Sequence, residues 1–263
     1  MEVLGYIASV LIGISLGLIG SGGSILTVPV MVYLFAVSPQ LATSYSLFVV
    51  GCTSLAGVFT RAGKNGIDFK TAALFGSTSI ITVFVTRKFI MPRVPQVLFS
   101  IGDSIITLNL ATMLLFAILM LLASYSMIRN RETRVEENGK AKINYFRLAL
   151  YGTGIGLVTG FLGAGGGFLI IPVLVLICRL TMKQAIGTSL LIISVNSLIG
   201  FTGDIGHANI DYRLLITVTL LAIVGIIIGT LLSLKINNAH LKKAFGWFVL
   251  AMGSYIIVKE LFF

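Results

Sequence analysis

Hydrophobic residues run almost continuously along the chain, in ten segments separated by short polar or glycine-rich stretches. Apolar positions within each segment are consecutive rather than alternating, which predicts α-helices that enter or cross a lipid bilayer. The segments are 4–19, 24–37, 41–60, 70–90, 105–128, 144–162, 167–180, 184–203, 213–234 and 240–262. The predicted fold class is therefore all-α, a polytopic membrane protein.

Two pairs of segments are short, and glycine clusters rather than polar loops separate their members. Residues 20–23 (Gly-Ser-Gly-Gly) split the first pair, and residues 163–167 (Gly-Ala-Gly-Gly-Gly) split the sixth segment from the seventh. At ~1.5 Å per residue, each piece reaches only about 20–28 Å. These pieces either barely span the bilayer or form hairpins whose glycine tips stop inside it, and both arrangements remain open.

The two halves of the chain repeat each other. A shift of 143 residues aligns 13–70 with 156–213 without a gap, and 18 of the 58 positions are identical. The identities keep proline, aspartate and serine in register, which favours a duplication over an effect of composition. We therefore divide the chain into a first membrane repeat (1–128), a charged linker (129–143) and a second membrane repeat (144–263). The first repeat contains an additional stretch that ends near residue 104.

Composition and charge support this interpretation. The 263 residues are 57% hydrophobic and 11% charged, against about 25% charged residues in soluble domains, which excludes an ordinary soluble enzyme, a disordered chain and a disulfide scaffold. A net charge of +10 would suggest a nucleic-acid partner in a soluble protein. Here, 14 of the 19 basic residues fall on one side of the predicted membrane topology, so the positive-inside rule accounts for the charge and leaves no role for nucleic acid.

The same rule predicts the orientation. The linker is expected in the cytoplasm, and both termini are expected outside a cytoplasmic membrane. Five segments in each repeat is an odd number, so the two repeats should be inverted relative to each other. Arg87 is expected in a loop on the outer side.

Inverted repeats with interrupted helices are typical of secondary transporters. A glycine break leaves backbone N–H groups uncovered at the positive end of the following helix, and such an end binds anions. The alternative is that glycines only allow close helix packing, which we favour for pairs such as Gly13/Gly17 and Gly225/Gly229. The candidate substrate-binding residues at the two breaks are Gly20, Ser21, Gly22, Gly23, Ser24, Gly163, Gly165, Gly166 and Gly167.

Polar side chains recur in the third and eighth segments. Ser46 and Thr53 are seven residues apart and share a helical face, and Ser189 and Asn196 occupy the same positions in the second copy. These side chains could donate to an oxyanion, or could bond to the preceding helical turn. Because few buried cations are expected, an anion site would rest on backbone N–H groups and hydroxyls.

The remaining charged residues receive structural roles. Asp68 and Asp211 precede the fourth and ninth segments and are expected to cap those helices. Arg61 and Asp204 are repeat partners of opposite charge, which leaves open a gate pair or two solvated charges. We identify no catalytic constellation, metal site or cofactor motif, so the chain is not predicted to be an enzyme.

Four motifs occur in order in both halves: a Gly-x-Gly-Gly break, a proline five to six residues later, Ala-x-x-x-Ser-Leu, and Ser-Leu-x-Gly. They begin at Gly20, Pro29, Ala42 and Ser54 in the first copy, and at Gly163, Pro172, Ala185 and Ser197 in the second. This doubled pattern resembles the TauE/SafE sulfite exporter family over nearly the whole chain. The resemblance implies a cytoplasmic-membrane permease for small sulfur-containing or organosulfonate anions.

The function predicted is secondary transport of a small anion by alternating access about a midplane site. An anion channel with the same fold is one alternative, and a non-transport intramembrane protein is another. The expected partners are the anionic substrate and the lipid bilayer. Glycine-rich and apolar faces would also allow two copies to pair as a homodimer.

Overall fold

The computed structural model describes residues 2–20, 23–61, 66–101, 104–129, 145–163, 165–205, 210–233 and 238–262, within which the chain forms ten α-helices and one short β-hairpin. The helices are α1 (Glu2–Ile19), α2 (Ser24–Tyr33), α3 (Pro39–Arg61), α4 (Phe69–Val85), α5 (Leu108–Arg129), α6 (Tyr145–Leu162), α7 (Gly167–Leu176), α8 (Met182–Asp204), α9 (Tyr212–Ser233) and α10 (Asn238–Phe262). All ten predicted helical segments are therefore confirmed.

The region between α4 and α5 differs from the prediction. After α4 the chain continues through a π-helical turn (Thr86–Ile90) and a 3-10 turn (Met91–Arg93). It then forms an antiparallel hairpin of β1 (Val97–Ile101) and β2 (Ser104–Thr107). The expectation that the fifth helix starts at residue 105 was wrong, because the β-branched run at 105–107 favours a strand.

The arrangement of polar and apolar side chains is that of a membrane protein. Five of the described helices are long and apolar enough to cross a bilayer: α3, α4 with its extension, α5, α8 and α9. Large apolar side chains such as Leu11, Leu122 and Leu231 are exposed, whereas Ser46, Thr53 and many other hydroxyls are fully buried. This distribution places apolar side chains against lipid and hydrogen-bonding groups inside the protein.

The short helices α2 and α7 fold back along the helices that precede them. α2 and α7 have 10 residues each and reach about 15 Å, half the hydrocarbon thickness. Gly23, just before α2, lies against Ile12 of α1. Phe35, just after α2, packs against Tyr6 of α1, with 5.4 Å between the ring centroids. α2 therefore runs back along α1.

The second half repeats this arrangement. Gly166, at the start of α7, lies against Ile155 and Thr159 of α6. Ile12 and Ile155 are related by the shift of 143 residues. Equivalent glycines therefore contact equivalent positions on the preceding helix.

The two halves also exchange equivalent contacts. α1 packs against α9 of the other half, and α6 packs against α4; these two contacts are the same under the repeat alignment. α3 and α8 pack together at the centre. Ser44 near the start of α3 reaches Asp204 at the end of α8, while Gly57 near the end of α3 lies beside Leu190 near the start of α8. The central pair, α3 and α8, is therefore antiparallel.

Aspartates cap two of the helices as predicted. The Asp68 side chain accepts a hydrogen bond from the Thr71 backbone N–H at 3.0 Å, at the start of α4. The Asp211 side chain accepts from the backbone N–H groups of Arg213 and Leu214, at the start of α9. Both contacts satisfy first-turn amide groups that would otherwise lack an acceptor.

Glycines allow the helix backbones of the two halves to meet. A Cβ atom at Gly13 would collide with the Ala222 carbonyl, and one at Gly225 would collide with the Val10 carbonyl. On the other face, a Cβ atom at Gly156 would lie 2.7 Å from the Ser79 carbonyl oxygen. The predicted packing role of these glycines is confirmed, and it is the close approach that small residues give in membranes.

We predict that Gly156→Ala lowers the melting temperature of the purified protein in detergent. The added methyl group meets the α4 backbone, which cannot rotate away, so α4 and α6 must separate at a cost of about 1–3 kcal/mol. Gly154→Ala is the matched control on the same helix, since no heavy atom lies within 4 Å of its Cβ position. Equal melting temperatures for the two variants would contradict the proposed packing of α6 on α4.

Candidate substrate-binding site

The second glycine cluster forms a tight turn in the left-handed region. Gly163, Gly165 and Gly166 have φ values of +66°, +65° and +66°, a conformation that costs an L-residue about 1–2 kcal/mol. Gly166 is the N-cap of α7 and provides no side-chain acceptor for the first-turn N–H groups. The predicted break is therefore present, and the α7 N-terminus begins without a side-chain cap.

This turn inserts against the central pair. A Cβ atom at Gly163 would collide with the Thr43 backbone at the start of α3. A Cβ atom at Gly165 would contact Val50 of α3, at 2.8 Å, and Ile193 of α8, at 3.1 Å. Val50 and Ile193 are repeat partners, so Gly165 lies next to the middle of the antiparallel pair.

The first glycine cluster makes the equivalent contact at the other end of the pair. Gly20 has a φ of +86° and lies against Ile186 of α8, and Ile186 is the repeat partner of Thr43. Gly23 is the N-cap of α2, without a side-chain cap hydrogen bond. Ser24 is fully buried, and the predicted site residues Ser21 and Gly22 lie outside the described residues.

The four polar side chains predicted on α3 and α8 are all fully buried. Thr53 donates to the Val49 carbonyl at 2.6 Å, and Ser189 donates to the Ile186 carbonyl at 2.9 Å. Both hydroxyls therefore bond to the preceding helical turn, which was the alternative to a role in anion binding. Asn196 donates from Nδ2 to Ser79 Oγ at 2.6 Å, while its Oδ1 and Ser46 Oγ have no hydrogen-bond partner among the described residues.

Two further hydroxyls lie at the second glycine turn and were not among the predicted site residues. Ser197 Oγ is 3.1 Å from the Cβ position of Gly165, and Thr159 Oγ1 lies against Gly166. Both side chains are buried, and neither oxygen has a hydrogen-bond partner in the described part of the chain. Ser197 could have been found from its repeat partner Ser54, but Thr159 aligns with Leu16 and gives no such signal.

An ion pair lies beside the second turn, and it corrects two expectations. Arg87 was expected in an outer loop, but the π-helical turn after α4 carries it inward, where it is 2% exposed. Its Nη1 donates to Asp204 Oδ2 at 3.0 Å and to Thr43 Oγ1 at 3.1 Å. Ser44 donates to the same Asp204 oxygen at 2.5 Å.

Asp204 therefore pairs with Arg87, and the expectation of a solvated Asp204 was wrong. The side chain of its repeat partner Arg61 lies outside the described residues. The expectation of few buried cations overlooked Arg87, which is buried beside the second glycine turn. Thr43 joins the two features, since it accepts from Arg87 and lies against Gly163.

We predict that Asp204→Ala destabilises the protein far more than Asp211→Ala. Removal of Asp204 leaves the buried guanidinium without its counter-charge, which costs about 3–5 kcal/mol. Removal of the exposed Asp211 cap costs about 1 kcal/mol. Thermal unfolding of both variants in the same detergent measures the difference, and similar melting temperatures would show that the Arg87 ion pair contributes no more than a helix cap.

Comparison with known proteins relates the chain to a family of membrane transporters. The family model described as "Sulfite exporter TauE/SafE" matches residues 6–256. A probable membrane transporter protein of Xylella fastidiosa (strain 9a5c) is 30% identical over 254 residues, covering 94% of this chain and 91% of that protein. A probable membrane transporter protein of Bacillus subtilis (strain 168) is 26% identical over 228 residues, covering 87% of each chain.

Proposed function

We propose that this chain, which belongs to the sulfite exporter TauE/SafE family and is a multi-pass membrane transporter, is a secondary carrier of small anions. Its substrate class is sulfur oxyanions or organosulfonates, in keeping with the family description. The single observation that carries this proposal is the second glycine turn. It lies beside the middle of the central pair and next to buried hydroxyls that have no hydrogen-bond partner in the described part of the chain.

The chemistry of this turn suits an oxyanion. The α7 N-terminus offers first-turn N–H groups and a positive dipole end, and Ser197 and Thr159 offer hydroxyl donors. A buried hydroxyl without a partner costs about 1–3 kcal/mol. A substrate oxygen that accepts from these donors would recover that cost. Because the donors are neutral, the anion is not held so strongly that it cannot leave.

The proposed mechanism is alternating access by two inverted repeats. Two observations support it: the antiparallel packing of α3 on α8, and the exchange of equivalent contacts between α1–α9 and α6–α4. A molecule built in this way can rock one half against the other about a fixed site. Access then opens at the Asp204 end of the central pair or at the opposite end.

The proposed location is the cytoplasmic membrane, with the linker in the cytoplasm and both termini outside. With α1–α2 and α6–α7 as hairpins, the loops that follow α3, α5, α7 and α9 lie on one side. Those loops and the adjoining helix ends carry 14 of the 19 basic residues, and the positive-inside rule places them in the cytoplasm.

We predict saturable counterflow of radiolabelled sulfite, sulfate or sulfoacetate in proteoliposomes that contain the purified protein. An excess of unlabelled anion inside the vesicles should drive transient accumulation of label, as expected of a carrier. Flux without counterflow would indicate the channel alternative. Equal flux with and without protein for all three anions would rule out the proposed substrate class.

In the same assay, Gly165→Ala should abolish transport, because its methyl group fills the space between the turn and the central pair and strains a positive φ. Gly154→Ala again serves as the control and should transport at the wild-type rate. Both variants should insert in the membrane in similar amounts. Normal transport by Gly165→Ala would remove the glycine turn from the mechanism.

A further inference from the structure

Arg87 has donors that its ion pair does not use. A guanidinium carries five N–H donors and cannot be deprotonated in a protein. Its Nη1 is occupied by Asp204 and Thr43, but Nε and Nη2 are buried and have no hydrogen-bond partner among the described residues. Burying a charged donor without an acceptor costs free energy, and a ligand that accepts from Nε and Nη2 would recover that cost.

The two unused atoms lie on the same edge of the guanidinium. Nε–H and the adjacent Nη2–H point in parallel and form the fork that binds two oxygens of one anionic group. Nη1 lies on the other side and holds Asp204. The ion pair therefore orients Arg87 without consuming the edge that recognises oxyanions.

The neighbours of Arg87 connect it to the proposed transport site. Thr43, which accepts from Nη1, lies against Gly163 of the second glycine turn. Thr86 lies against Gly160 near the end of α6, and its Oγ1 also lacks a hydrogen-bond partner in the described part of the chain. Arg87 is thus linked through Thr43 to the loop whose backbone faces the central pair.

This feature belongs to one end of the molecule. In the repeat alignment Asp204 corresponds to Arg61, and extending the same shift of 143 residues beyond residue 70 pairs Arg87 with Thr230. Thr230 lies near Thr60, with 3.5 Å between the two hydroxyl oxygens. The equivalent position in the other repeat is not an arginine. The duplication therefore does not account for Arg87, which is found at the Asp204 end only.

We propose that the Nε/Nη2 edge of Arg87 is an oxyanion-binding site at the Asp204 end of the central pair. It takes a small anion that presents two oxygens, such as sulfite, sulfate or a sulfonate group. Asp204 positions the guanidinium through Nη1, and its negative charge weakens anion binding so that the ligand can dissociate. The inference rests on the proposed function, because it gives the transported anion a contact at one end of its path.

The test is equilibrium binding of radiolabelled sulfate and sulfite to the purified protein in lipid nanodiscs. Arg87→Lys keeps a positive charge for Asp204 but loses the bidentate fork, so affinity should fall about tenfold or more. Arg93→Lys is the matched control. Arg93 is exposed on the same extension of α4 and bonds to the Phe89 carbonyl, and its replacement should leave affinity unchanged.

Asp204→Asn provides a second readout that a purely structural role would not produce. The asparagine keeps an acceptor for Ser44 and Arg87 but removes the repelling charge, so affinity should rise severalfold. Added sulfate should also raise the melting temperature of this variant more than that of the wild type, because the anion replaces the lost counter-charge. Equal shifts for the two proteins would contradict the site.

Transport assays on the same preparations separate the two proposals. If the wild type transports anions and Arg87→Lys binds them with wild-type affinity, the Arg87 site is wrong and the proposed function stands. If binding depends on Arg87 but no anion crosses the membrane, the site stands and the proposed function falls. If the wild type binds neither anion, the Arg87 site is overturned.

Discussion

The antiparallel contact between α3 and α8 is the constraint on which the rest of the structure depends. Ser44 meets Asp204 at one end and Gly57 meets Leu190 at the other. The N-terminal part of each helix therefore packs beside the C-terminal part of the other. The glycine turns then dock at opposite ends, on Thr43 and Ile186. A substitution that separates α3 from α8 would therefore disturb both turns together.

Packing in this molecule follows from the bilayer as solvent. There is no hydrophobic driving force for helix association within lipid, so close backbone packing and hydrogen bonds hold the helices together. Gly13 and Gly225 allow close backbone packing against carbonyl groups of the opposite half. The hydrogen bond from Asn196 to Ser79 joins α8 to α4. Two of the buried hydroxyls without a hydrogen-bond partner among the described residues, Ser197 and Thr159, lie at the second glycine turn, where a ligand is proposed to bind.

Much of the fold could be predicted from the sequence because the bilayer imposes long apolar helices and the duplication supplies an internal alignment. The ten segments and the aspartate caps at Asp68 and Asp211 follow from local signals. The packing of α2 back along α1 could not be predicted from local signals, because a glycine break permits a turn without setting its angle. The strands at 97–101 and 104–107 were missed because an apolar run alone does not distinguish helix from strand.

The candidate site was predictable only where the repeat marked it. Gly163, Gly165 and Gly166 were found because their break recurs, whereas Thr159 has no repeat partner of its kind. Arg87 was missed for a different reason: a short π-helical turn rotates it inward, and its partner Asp204 is 117 residues away. No local pattern carries that information.

The most direct measurement is an experimental structure of the wild-type protein in lipid with selenite as an anomalous scatterer. Selenite resembles sulfite in charge and shape. We expect an anomalous peak within hydrogen-bond distance of Ser197 Oγ and the backbone at Gly165–Gly166, at concentrations that saturate transport. Peaks confined to exposed basic residues, with none at the glycine turn, would contradict an anion site at that turn.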